Sequence, residues 1–82
     1  MPYTYILQSE LTGRYYIGST VDVNTRLADH NAGNTQSTKP YRPWKLLYSE
    51  TFNTLAEARK REREIKAWKN PRFMLKALHL DP

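Results

Sequence analysis

Tyr5, Tyr16, Arg26, His30 and Glu62 are the residues of this 82-residue chain whose types and positions could do chemistry. The two tyrosines fall in short β-type runs, YTYILQS and YYIG, eleven residues apart. Arg26 and His30 are one helical turn apart beside Val23 and Leu27, so both lean along the edge of a buried helix face. Glu62 is the sharpest anomaly. Leu55, Ala58, Ile65 and Trp68 mark an apolar stripe, and at about 100° per residue Glu62 projects into it and not onto the solvated face. A carboxylate buried there without a partner costs several kcal/mol or is forced neutral. It therefore calls for a neighbouring cation, a metal ion, or a place at the rim of the core where a cleft opens.

If the two helices pack on the hairpin that carries Tyr5 and Tyr16, these five side chains form one polar constellation on a sheet surface. Their types suit phosphodiester hydrolysis. A carboxylate can hold a hard divalent cation, a guanidinium can meet charge developing on a phosphorane, and a phenol or imidazole can handle the proton of the attacking water. The structural alternative for Glu62 is an ion pair with a nearby Lys or Arg.

The elements that must position these groups are legible in outline. Tyr3 to Gln8 and Arg14 to Ser19 read as a β-hairpin around the turn residues Glu10-Leu11-Thr12-Gly13. Thr20 or Asp22 can cap a helix of about three turns, closed by Asn31-Ala32-Gly33. Asn34 to Pro43 is polar and reads as a loop, followed by a third strand from Trp44 to Phe52. Thr54, with Glu57 three residues on, forms a capping box for a long helix reaching about Lys69. Asn70-Pro71 then opens a short closing helix with Phe73, Leu75 and Leu78. The order ββαβαα predicts an α+β fold, a three-stranded antiparallel sheet flanked by helices, in a single domain over residues 1–82.

Composition narrows the function classes. Thirteen Lys and Arg against eight Asp and Glu give a net charge of +5, which favours a polyanionic partner. No cysteine is present, so disulfides and cysteine-ligated zinc are excluded. No apolar run approaches the ~20 residues of a membrane span and no leader-like segment opens the chain, so the expectation is a cytoplasmic domain without membrane contact. No obligate protein partner is evident.

YTYIL, then YYIG, then Arg26 with His30 four residues on, then KPYRPWKLLYSE and EARKREREIKAW, together resemble the GIY-YIG endonuclease superfamily, in particular its small standalone members. The resemblance spans about residues 3 to 69. It places Tyr3-Thr4-Tyr5 at the GIY position and Tyr16-Ile17-Gly18 at YIG. Arg26 then stands at the helix arginine, His30 where members carry a histidine or tyrosine, and Glu62 at the metal-binding glutamate. The first motif departs from the family in lacking its glycine and isoleucine. Larger members also use an asparagine beyond the glutamate, for which Asn70 is the one candidate here.

The resemblance implies a metal-dependent endonuclease acting on DNA with low sequence specificity, in DNA repair or processing. Glu62 would hold Mg²⁺ or Mn²⁺, Arg26 would stabilise the phosphate charge, and Tyr16 would position or deprotonate water. Tyr5 and His30 would share the proton relay. Tyr15 faces the other way as packing, and Gly18 lets strand and helix approach closely. Lys39, Arg42 and Lys45 are expected as a nucleic-acid-binding rim. Two other readings fit the same residues: a module that grips nucleic acid without cutting, and an interaction domain whose basic helix meets an acidic protein.

Overall fold

The structure, a computed structural model, describes residues 1–80. The strands are β1 (Tyr3–Ser9), β2 (Tyr15–Thr20) and β3 (Trp44–Thr51); the helices are α1 (Val23–Ala32), α2 (Leu55–Ala67) and α3 (Pro71–Ala77). Pairing is antiparallel in the order β2-β1-β3, so the first strand is central and the second is an edge. The α+β fold and the three-stranded sheet are therefore as expected. The polar stretch 34–43, expected as a loop, contains a 3₁₀ turn at Lys39–Tyr41. The long helix is also shorter than its pattern suggested, because Lys69 adopts a left-handed backbone at φ 55°.

Local signals explain the helix starts. Asp22 accepts a hydrogen bond from the Thr25 amide at 3.1 Å, and Thr54 and Glu57 form the reciprocal capping box. Gly33 ends α1 at φ 83°, the left-handed position that favours glycine.

Because successive strand residues point to opposite faces, β1 is buried on both sides and divides the interior in two. Tyr5 and Leu7 pack with Val23 and Trp44 on the α1 face. Ile6 packs with Ile65, Met74 and Leu78 on the face covered by α2 and α3. Thr4 is fully buried on that second face, and its hydroxyl donates to the Ala58 carbonyl at 2.6 Å, which pins α2 to the sheet. Here the structure corrects an expectation. The two helices do not share one face of the hairpin; α1 lies against β1 and β3, and α2 lies on the opposite face against β1 and β2.

Candidate active site

The phenols and the imidazole come together on the α1 face. Tyr5, Tyr16 and His30 form a triangle of rings, with Tyr16 to His30 closest at 4.7 Å between centroids. Tyr5 is aimed by its strand partner. Gly18 lies across from it in the β1–β2 register, and a Cβ at Gly18 would stand 2.6 Å from the Tyr5 hydroxyl oxygen and 2.7 Å from its ring. Glycine is thus required there by a cross-strand aromatic ring, not by a helix as the sequence suggested.

His30 is fully buried and bonded at both ring nitrogens. Thr38 donates its hydroxyl to the Thr35 carbonyl at 3.2 Å, so it accepts from His30 Nδ1 at 2.8 Å. His30 Nε2 is then the acceptor for the Tyr5 hydroxyl, 3.1 Å away. The imidazole is neutral in this network. Burial lowers its pKa and the Arg26 charge lowers it further, against a smaller opposing effect of Asp29. Thr38 also accepts at its carbonyl from the Trp44 indole at 2.9 Å. The segment expected as a loop is therefore what fixes the histidine.

Tyr5 is almost wholly buried, and burial pushes its pKa up to about 12; the Arg26 guanidinium opposes this, and Tyr16 and Glu62 add to it. Tyr5 is a hydrogen-bond donor at neutral pH. Tyr16 is only half-buried and is the phenol open to solvent. Arg26 is half-buried beside the two phenols; burial alone would lower its pKa, but Tyr5 and Tyr16 outweigh that and raise it.

Glu62 reaches this cluster around the sheet edge. It accepts a hydrogen bond from the Ser19 hydroxyl, next to Gly18 on the edge strand, and pairs with Lys66 at 2.5 Å. Burial would raise its pKa, but Lys66 and Ser19, with Arg59 nearby, bring it below the ordinary carboxylate value. The carboxylate is ionised, and its side chain is 20% exposed. The cation expected for a semi-buried glutamate is thus Lys66, one turn on. Its bond to Ser19 places the carboxylate at the edge of β2, next to the Gly18 that Tyr5 faces across the strands, and its charge adds to the upward push on the Tyr5 pKa.

Among the described residues no three His, Asp or Glu side chains converge as a metal cage. The donors present still fit a hard divalent ion. Mg²⁺ characteristically takes one or two carboxylates with water and phosphate oxygens, and Glu62 lies beside the Ser19 hydroxyl with an exposed lysine to displace.

The other expected residues are dispersed. Lys39 opens the 3₁₀ turn and Arg42 follows it; Arg42 Nε donates to the Lys39 carbonyl at 2.9 Å and its guanidinium lies over Gly33. Lys45 follows Trp44, which packs on the α1 face, and so projects to the other face. The three do not form one track. Asn70 caps α3, accepting from the amides of Arg72 and Phe73. Tyr15 packs with the α2 cluster, away from Tyr16, as expected. Ser19, Thr38 and Lys66 were missed: a hydroxyl beside the YIG glycine, or a threonine in a polar loop, carries no signal until the chain folds.

Protonating His30 would strand a charge in the core, which fixes the sign of a pH effect. Its folded pKa lies below the ordinary 6.5, so the unfolded chain takes up the proton first as pH falls. His30's contribution to stability is full above about pH 6.5 and declines below it until the folded-state pKa is reached. Urea unfolding between pH 8 and 5 should show this decline, and His30→Asn should be less stable throughout but flatter across that window.

The sequence matches the family model described as GIY-YIG catalytic domain over residues 1–76. A UPF0213 protein of Staphylococcus epidermidis is 43% identical over 67 residues, covering 80% of each chain. A UPF0213 protein of Halobacterium salinarum is 39% identical over 67 residues, 80% of this chain and 86% of that one. The solution NMR structure of a UPF0213 protein from Bacillus halodurans superposes with a TM-score of 0.60 at 30% identity, covering 99% of this chain and 86% of the other.

Proposed function

Since this chain belongs to the GIY-YIG family, we propose that it is a metal-dependent endonuclease that hydrolyses phosphodiester bonds in DNA with little sequence preference. The observation that carries this reading is the pairing of two phenols beside Arg26 on one sheet face, with the ionised Glu62 bonded to Ser19 at the adjoining edge of β2. A guanidinium, phenols and a carboxylate are suited to phosphate oxygens, which favours backbone recognition over sequence readout. A role in repair or other DNA processing is compatible with such an activity.

Glu62 would hold the divalent ion, Mg²⁺ or Mn²⁺, with most remaining ligands from water and the phosphate. When bound, the ion supplies Lewis-acid stabilisation at the scissile phosphate and the leaving oxygen. Arg26, held beside the phenols, meets charge gathering on the non-bridging oxygens. Tyr16, the accessible phenol, orients the attacking water and takes part in its proton transfer. Tyr5 and His30 stand behind it: His30 cannot touch substrate while buried, and it sets the direction of the Tyr5 proton. They act as a positioning pair behind Tyr16, with the imidazole neutral throughout.

The test is cleavage of single-stranded, duplex and branched DNA with Mg²⁺ or Mn²⁺ and with chelator. Metal-dependent nicking that chelator abolishes is the expected result. Binding without any cleavage across the panel would replace this reading with that of a non-cutting nucleic-acid-binding module.

A further inference from the structure

Behind the β1–β2 turn, a groove of about 510 Å³ opens between the outer edge of β2 and the junction of α2 with α3. Ile17, Ile65 and Met74 give it an apolar lining, Tyr15 adds a half-buried ring, and Lys66 and Lys69 supply its ammonium groups. Among the described residues no acidic side chain lines it. Lys69 is exposed, takes part in no ion pair among the described residues, and holds a left-handed backbone at φ 55°. Gly or Asn would occupy that conformation with less steric conflict. A lysine kept there places a cation at the groove mouth.

Lys66 joins this groove to the phosphodiester centre, because the same ammonium that lines it is the partner of Glu62. We propose that the groove is a subsite for one strand of the nucleic acid as it runs away from the scissile phosphate. Its volume suits a single nucleotide unit and not a duplex. A base would lie against the Tyr15 ring and the apolar lining, and its phosphates would contact Lys66 and Lys69. A phosphate arriving at Lys66 competes with Glu62 for the ammonium, so seating the strand frees the carboxylate. The inference rests on the nuclease reading for the location of the scissile phosphate, but its test needs no cleavage.

The experiment is fluorescence anisotropy of a short labelled oligothymidylate in chelator across a salt series. Lys66→Met with Lys69→Asn should weaken binding about tenfold or more and lower the log–log salt slope by about 1.4, from two single-strand contacts of ~0.7 each. Lys60→Met with Lys76→Met removes the same charge from exposed positions outside the groove and should leave the slope near wild type. Equal slopes for the two double variants, or no binding by the wild type, would overturn the subsite. If melting shows that the first double variant is unfolded, Lys69→Gly relaxes the backbone and carries the test, with an expected slope change of about 0.7. Metal-dependent cutting with groove-independent binding would remove the subsite and leave the nuclease. Groove-dependent binding without metal-dependent cutting would do the reverse.

Discussion

Glu62→Gln is expected to abolish cleavage, a loss on the order of 10³-fold or more, while nucleic-acid binding stays equal or becomes tighter. The substitution keeps the shape of the side chain and its ability to accept from Ser19, but removes the charge that would anchor a divalent ion. Tighter binding follows because a negative charge near the phosphate is gone. The competing explanation makes Glu62 a structural partner of Lys66. A deeply buried pair broken in this way would lower stability by roughly 3 to 5 kcal/mol. Here Lys66 is 53% exposed, so the pair belongs with surface ion pairs worth about 0 to 1 kcal/mol. Thermal melting and cleavage measured on the one variant therefore separate the two roles. Normal melting with dead chemistry supports the catalytic role, and a large drop in melting temperature with activity retained refutes it.

Tyr16→Phe should fold and bind as the wild type does and lose on the order of 10² to 10⁴ in single-turnover cleavage rate. Only the hydroxyl is removed, and the ring keeps its packing against His30 and Trp44. Arg26, or an ion at Glu62, would assist the proton transfer in which this hydroxyl takes part. Tyr15→Phe is the control. Tyr15 packs on the opposite face, phenylalanine keeps the ring that it offers to the groove, and among the described residues its hydroxyl meets only Gln8 at 3.4 Å, so turnover should be nearly intact. Near-normal cleavage by Tyr16→Phe would return that ring to a packing role and leave Tyr5 as the phenol in the reaction.

The periodicities of the sequence determined which elements form and which residues are out of place in them. Strand-like runs held Tyr5 and Tyr16, a helical turn joined Arg26 to His30, and the stripe of α2 exposed Glu62 as an anomaly. Caps were equally legible at Thr54 and Gly33, because a capping hydrogen bond or a left-handed φ is satisfied within a few residues. Only the tertiary structure decided how these pieces meet. Periodicity says that a helix has a buried face but not which face of the sheet it covers; α1 and α2 lie on two faces, so the five side chains do not share a single sheet surface. Glu62 approaches the phenols because β2 is an edge strand, a fact set by strand order and not by any local pattern. The hydrogen bonds that hold the site run between residues distant in the chain: Ser19 to Glu62, Thr38 to His30, Tyr5 to His30. Hydroxyls and lysines are common on any surface, and their meaning is conferred by the neighbour that folding brings to them. Lys66 is the clearest case, one cation among many on a basic helix until the fold sets it between a carboxylate and a groove.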